Sequence, residues 1–408
     1  MPASDLDAAA NEILAGDRAA LRNIDRVYGA SARLRAEPLA VAELSAAKGH
    51  MRQDELLERA AVIEPGVSYL RIESIAALGA FANACTGEVE LRTESDSSPR
   101  FIEAVSDGRR LQVGAAKPPP LNGPWSRDCD ISTAGGVRAH PAVFYALDGA
   151  CAVSNRSLDF FPGNISIVPT STGIFVSTAR STREAGGGLV GLFTCRVPWQ
   201  DFSLEEVDGP FVLSADSVRS LLRRWGSAGA ITFGRKGEHA YWGGRGWRAT
   251  MREEAIKPAN YWERVTSTDR ATSIGWATFS LSDLVGALQL SPYRRGPTPC
   301  AAFDETTLRF AVVAAPRFES PVFGDFADLS VYTTVDPIYK GKTEYGFAAP
   351  ISVLESALRA LRMSDLVRVA WTDEVIAIRG TKGDVTSSVL VPNYYRHCRQ
   401  VLDGLQGS

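Results

Sequence analysis

One local pattern returns five times along this chain, and any fold must accommodate it. Each copy combines a helix carrying one apolar stripe with about three β-rich runs set off by turn signals, at a period of ~60–70 residues. A unit of that size has too little apolar area to stand alone, so neighbouring copies must share cores and sheets. The clearest copy spans 343–395. Its helix places Leu354, Leu358 and Leu361 on one stripe, and Leu366-Val-Arg-Val-Ala-Trp-Thr-Asp, Val375-Ile-Ala-Ile-Arg and Ser387-Ser-Val-Leu-Val-Pro-Asn-Tyr-Tyr read as strands.

The other copies follow the same grammar. The first has a helix over Glu73–Ala84, with Ile75, Leu78, Phe81 and Ala82 at helical spacing, then runs at Val89, Arg100 and Arg110 with Ser-Asp and Asp-Gly turns between them. The second has a helix over Pro141–Val153 and strands from Asn164, Gly173 and Gly188. In the third, Ser214 is the expected N-cap of a helix whose stripe is Val218, Leu221, Leu222 and Trp225; strands follow from Ala230, His239 and Gly246. The fourth helix carries Leu281, Leu284 and Leu288, with strands from Cys300, Thr307 and Leu329. The Lys117-Pro-Pro-Pro-Leu-Asn-Gly-Pro stretch cannot continue a ladder and reads as a linker.

Residues 1–66 differ. They are rich in Ala, Leu and Arg, and the spacing and composition predict mainly helix over Leu6–Arg35 and Leu39–Val62, with breaks near Gly16, Gly29 and Pro38. Arg18, Arg22, Arg26, Arg33 and Arg35 make the first of these regions basic, either as a solvated face or as a contact for nucleic acid or a partner.

Composition narrows the function classes. With 408 residues, 45% hydrophobic and 22% charged, the chain is a globular protein of two or three domains, and a net charge of −3 neither demands nor excludes nucleic acid. Six scattered cysteines without a C-x-x-C pair predict reduced thiols in a cytoplasmic protein. The acidic first residues and the absence of any long apolar run predict neither signal peptide nor membrane span. Enzymatic signatures are missing. The four histidines, at 50, 140, 239 and 397, lack metal-ligand spacing, and there is neither a phosphate-binding loop nor a nucleophile elbow. Asp128 and Asp130, Glu205 and Glu206, and Glu253 and Glu254 read as solvated turns, and Tyr241, Trp242 and Trp247 as sheet packing in preference to base stacking. A non-catalytic protein with no cofactor and no metal is expected.

On these units, and most of all on Ile351–Leu361, Trp371-Thr-Asp and Val389-Leu-Val-Pro-Asn-Tyr-Tyr, the sequence resembles the bacterial β sliding clamp, the processivity subunit of the replicative DNA polymerase. Gly173-Ile-Phe-Val-Ser-Thr and Pro258-Ala-Asn-Tyr look like its middle domain, and the resemblance covers roughly 68–395. It implies an α+β fold in which half-units form three DNA-clamp domains with inner helices and outer sheets. The domains would be 1–137, 138–266 and 267–395, followed by a tail, 396–408. It also implies a cytoplasmic homodimeric ring around double-stranded DNA, held without sequence preference, and tethered DNA polymerase and other clamp-binding peptides. The alternative is a clamp-fold interaction scaffold that forms no ring.

The resemblance also nominates residues. Arg219, Arg223, Arg224, Arg294, Arg295, Arg359 and Arg362 lie on or beside helices that would face DNA. Phe161, Pro162, Thr178, Arg180, Ser181, Val375, Ile376, Val391, Pro392 and Asn393 would line a peptide pocket. Where the family usually has Asp-Gly-His-Arg after the middle-domain Thr, this chain has Ala179-Arg-Ser-Thr, which implies a different preferred peptide.

Overall fold

The computed structural model describes the chain except for residues 16–17, 29, 37–41, 49–50, 94–99, 120–136, 140, 155–162, 182–188, 199–208, 226–230, 237, 245, 255–257, 259–260, 263–264, 266–272, 291–298, 305–308, 315–332, 342–345 and 395–408. Mixed helices and antiparallel sheets make an α+β fold, and the chain divides into two compact units.

The first unit comprises residues 1–139, 202–208 and 220–253. It opens with helices α1 (Ala3–Leu14) and α2 (Arg18–Tyr28), then strands β1 (Ala32–Ala36), β2 (Ala42–Lys48), β3 (Met51–Leu57) and β4 (Gly66–Leu70). Helix α3 (Ile72–Asn83) leads to β5 (Glu90–Thr93), β6 (Phe101–Ser106) and β7 (Arg109–Ala116). The short β8 (Val137–Ala139) and three later strands, β13 (Ile231–Lys236), β14 (His239–Gly244) and β15 (Trp247–Arg252), complete an eleven-stranded sheet in the order β5-β6-β7-β4-β1-β2-β3-β15-β14-β13-β8. Leu6, Ile13, Leu44, Leu70, Ile75, Leu78 and Ile102 build its core, and burying each such side chain is worth roughly 1.5–3 kcal/mol. The Asp107-Gly108 turn joins β6 to β7 with positive φ at both residues, as a two-residue hairpin requires.

Three strands between 32 and 57 correct the expectation that residues 1–66 are mainly helical. The helices end at Tyr28. Ala32-Arg-Leu-Arg-Ala and Ala42-Glu-Leu-Ser-Ala alternate apolar and polar residues at a period of two, and Leu44 and Ala46 turn into the core on one face. Residues with high helix propensity form strands here because the alternation buries one face of a sheet, and that gain exceeds a propensity cost of a few tenths of a kcal/mol per residue, roughly.

The opposite parity carries charge. Glu43 sits among three arginines: its Oε1 lies 3.2 Å from both Arg33 and Arg52, and its Oε2 lies 2.6 Å from Arg248. Arg52 also pairs with Asp54 at 2.7 Å. Arg33, Glu43 and Asp54 are 3%, 5% and 1% exposed, so these charges persist only because each is matched.

The second unit comprises residues 140–201, 209–219 and 254–408. Helix α4 (Pro141–Val153) precedes β9 (Asn164–Thr170), β10 (Gly173–Ser181), β11 (Leu189–Pro198) and β12 (Phe211–Ser214); α5 (Ala215–Trp225) begins directly after β12, and its residues from Ser220 onward count with the first unit. Strand β16 (Gly275–Ser280) runs into α6 (Leu281–Leu290), β17 (Pro299–Asp304), β18 (Arg309–Ala314), β19 (Thr333–Val335) and β20 (Tyr339–Lys340). Strand β21 (Phe347–Pro350) runs into α7 (Ile351–Ala360), β22 (Leu366–Trp371), β23 (Val375–Lys382) and β24 (Val385–Pro392). These strands make a nine-stranded sheet, β12-β9-β10-β11-β24-β23-β22-β16-β20, and a four-stranded sheet, β19-β18-β17-β21.

Strand-to-helix junctions recur, and two use the same device. Ser214 Oγ accepts the Ser217 amide at 3.2 Å, and Ser280 Oγ accepts the Asp283 amide at 3.4 Å, satisfying orphan donors of the first turns of α5 and α6. Beneath α6 and α7, Phe279, Phe310, Phe347 and Trp371 form a chain of rings with centroids 6.1, 6.2 and 5.0 Å apart. Helices α4 and α7 approach closely at Gly149, where a Cβ would stand 2.7 Å from the Ala360 carbonyl oxygen and 2.8 Å from Phe193.

Candidate nucleic-acid and partner interfaces

The arginines nominated from sequence divide by their partners. Arg224 lies 2.9 Å from Glu12 and 2.7 Å from Glu55, with its guanidinium 5.8 Å from the centroid of the Trp247 ring. It is a brace within the first unit, neutralised from two sides. Arg219 pairs with Asp216 at 2.7 Å and donates to Ser154 Oγ at 2.9 Å and to the Cys151 carbonyl at 3.3 Å. It thereby ties α5 to the C-terminal end of α4, where a cation meets exposed carbonyls and the negative end of the helix dipole. Arg362 reaches Asp148 of α4 at 3.2 Å and covers the Tyr145 ring at 5.8 Å. These three arginines hold neighbouring elements together.

Arg223 and Arg359 are different. Both are exposed; Arg223 donates to Ser220 Oγ at 3.0 Å, and Arg359 lies in the last turn of α7. Their heads are open to solvent. Arg294 and Arg295 lie outside the described residues. Helices α1, α3, α4 and α6 contain no lysine or arginine, so among the described helices the cationic charge lies on α2, α5 and α7. Tyr241, Trp242 and Trp247 are buried, which removes them as a base-stacking platform.

The pocket candidates converge on one stretch of the second unit, because the sheet order β10-β11-β24-β23 makes their strands adjacent. Parity then separates them. Leu192, Val265, Ala377 and Leu390 pack together on one face, with Ala179, Tyr261 and Val375 partly buried at the rim. Phe193 and its neighbours in the other parity face α4, as its contact with Gly149 shows. Val375 and its cross-strand partner Pro392 therefore belong to the cluster's face. Thr178, Ile376 and Val391 alternate with Ala179, Ala377 and Leu390, are at most 2% exposed, and stand on the helix side. They support the sheet from behind, on the face opposite the Leu192, Ala377 and Leu390 cluster. Thr178 spends its hydroxyl on the Asn164 carbonyl at 2.6 Å.

Asn393 is a clasp. Its Nδ2 donates to the Thr372 carbonyl at 2.7 Å and its Oδ1 accepts the Ala348 amide at 3.0 Å, binding the end of β24 to the β22–β23 turn and to β21. Both ends of its amide are engaged. Arg180 is half-buried, with its Nε lacking a hydrogen-bond partner among the described residues, and the register shifts between Arg180 and Ser181. Such an irregularity re-aims side chains at the edge of the cluster. Phe161 and Pro162 fall outside the described residues. Sequence reasoning missed Leu192, Ala377, Leu390, Tyr261 and Val265. The available signal was parity along each strand, together with the Pro258-Ala-Asn-Tyr segment that delivers Tyr261 and Val265.

Among the described residues no group of three or more His, Cys, Asp or Glu could hold a metal, and no helix is long and apolar enough to cross a membrane. Glu253, from one of the acidic pairs, is matched by Arg235 at 2.7 Å. The free thiols Cys151 and Cys195 are pushed up to about 12, chiefly by burial, which makes them poor nucleophiles.

Sheets assembled from repeated strand–helix–strand units define the class: this is the sliding-clamp fold. The β subunit from DNA polymerase of Streptococcus pyogenes matches with a TM-score of 0.71 at 10% identity, over 96% of this chain and 98% of that one. The DNA polymerase sliding clamp from Bacillus subtilis matches at 0.71 and 10%, over 96% and 97%. The DNA polymerase III subunit beta from Pseudomonas aeruginosa matches at 0.69 and 11%, over 96% and 98%. No protein-family model matches the chain, and no curated protein does. The likeness is chain-long in fold and slight in sequence.

Proposed function

We propose that this protein is a sliding clamp: a non-catalytic processivity factor that closes as a homodimeric ring around double-stranded DNA and tethers a DNA polymerase. The observation carrying this reading is the chain-long fold likeness, which spans nearly the full length of both chains compared. In this reading the chain forms three domains, 1–137, 138–266 and 267–395, and the protein works in the cytoplasm. The pairing of β15 with β3 and of β11 with β24 then joins each half of the middle domain to a different neighbour, in keeping with the division of the chain into two contact units. Arg223 and Arg359 are assigned to the DNA side and would act as sequence-independent phosphate contacts. Partner peptides would rest on the rim formed by Ala179, Tyr261, Val375 and Pro392, over the floor of Leu192, Ala377 and Leu390.

Two measurements test this. Sedimentation equilibrium at micromolar concentration should give twice the 43.9 kDa chain mass. Protein loaded on nicked circular DNA should be retained during gel filtration and lost after linearisation; a monomer with no topological dependence would sink the proposal. A second reading, an interaction scaffold of clamp fold without a ring, is favoured by one observation: four helices lack basic residues and three of the nominated arginines are spent on acidic partners. Capture of polymerase peptides without DNA retention would select it.

A further inference from the structure

Arg180, at the end of β10, is half-buried, its Nε is shielded from solvent without a hydrogen-bond partner, and no ion pair joins it to a described residue. Arg219, Arg224, Arg235 and Arg362, by contrast, are each matched by an acid. The elements around Arg180 offer none. Strands β9, β10, β11 and β24 contain no Asp or Glu, and Asp148, the one acid of α4, is taken by Arg362. A cation drawn this far out of water carries a cost unless a counter-ion meets it. Register explains the space beside it. Arg180 stands opposite Gly191, which presents no side chain, and a Cβ there would lie 3.4 Å from Val153 at the end of α4. Ala179, its neighbour in the chain, belongs to the rim of the Leu192, Ala377 and Leu390 cluster. The register shift between Arg180 and Ser181 falls at the same point, so the strand is irregular where the apolar rim gives way to the cation.

We propose that Arg180 selects the partner segment by receiving a carboxylate, from an Asp or Glu placed beside the apolar residues that rest on the Ala179 rim. The inference rests on the proposed peptide-binding role of that rim and adds the chemical class of peptide it prefers. Charge complementarity identifies the group. The guanidinium fork meets a carboxylate with two parallel hydrogen bonds, whereas Lys presents only a point charge. The bound segment supplies the counter-ion that the surrounding strands and α4 lack. A neutral residue at that place leaves the cation unpaired, and a basic one is repelled. Apolar contacts hold the segment, and the carboxylate decides which segments are held.

The test is fluorescence anisotropy with the full chain and short fluorescein-labelled peptides bearing leucine and phenylalanine anchors, in which Asp, Asn or Lys occupies each remaining position in turn. At one position Asp should bind roughly tenfold more tightly than Asn, as a hydrogen bond to a charged group provides, and Lys more weakly than Asn. R180Q should erase the Asp preference while leaving the Asn peptides bound as before, and R180K should keep part of it. Since Arg180 braces no other element, R180Q should also leave the urea midpoint unchanged; a lowered midpoint would make Arg180 structural and overturn the inference. Equal affinity for Asp and Asn peptides at every position sinks the inference while the peptide-binding reading stands. If no peptide binds the unaltered protein, both fail. An Asp preference that survives in R180Q overturns the inference too, and weakened binding of R180Q to a short DNA duplex would then assign Arg180 to nucleic acid.

Discussion

Replacing Glu43 by Gln isolates the energetics of the first unit's charged seam. Glu43 is the common partner of Arg33 and Arg52, both at 3.2 Å, and of Arg248 at 2.6 Å. Glutamine keeps the volume and one acceptor but removes the charge, and its amide nitrogen then faces cationic donors. Arg33 is only 3% exposed, so water cannot restore what is lost. Breaking a buried pair by removing one partner costs about 3–5 kcal/mol, because the remaining charge stays buried and uncompensated. That corresponds to roughly two to three and a half decades in local opening equilibrium. Hydrogen exchange with mass spectrometry, read on peptides from β1, β2, β3 and β15, should show this acceleration, while peptides from β22 to β24 should be unaffected. Glu90→Gln, which breaks the exposed pair with Arg92, is the control and should leave exchange unchanged. An acceleration below tenfold in β2 and β3 for E43Q would refute the claim that this carboxylate holds the seam.

Three further outcomes follow from the second unit. Asn393→Ala removes two hydrogen bonds and leaves the Ala348 amide and Thr372 carbonyl to find new partners, so urea unfolding should show a loss of about 1–3 kcal/mol, with Asn393→Asp also destabilising because an oxygen replaces the Nδ2 donor. Gly149→Ala places a methyl against the Ala360 carbonyl and Phe193, and overpacking of about 1–3 kcal/mol should outweigh the helix-propensity gain of about 1 kcal/mol, lowering the melting temperature. Folding raises the Cys195 thiol from 9.0 to about 12, so its contribution to stability is fully present below pH 9 and lost as pH rises toward 12; Cys195→Ala should flatten that alkaline decline in a pH series of urea midpoints.

The repeat was legible because it rests on local chemistry. Helix stripes such as Leu354 and Leu358, the Ser214 cap and the Asp107-Gly108 turn are each encoded within a few residues, and each is formed as the sequence requires. The misread region 32–57 shows two local signals in conflict. Its residue types favour helix and its alternation favours strand, and the conflict is resolved by neighbours such as Leu70 and Thr250, which lie well away in the chain.

The sites were less legible, since their state depends on what meets them. Sequence alone determined that Arg219, Arg224 and Arg362 are cations flanking apolar stripes. Only the tertiary structure brought Ser154, Glu12 with Glu55, and Asp148 to them, so that all three brace neighbouring elements while Arg18, Arg22 and Arg26 are exposed. The same holds for the apolar cluster. The sequence could place Val375, Ile376, Val391 and Pro392 on neighbouring strands, but the face each presents was decided by the pairing of β23 with β24 and by the helix α4 packed behind the sheet. Local propensity is a property of a residue and its neighbours in the chain, whereas charge compensation and exposure belong to pairs that the fold brings together.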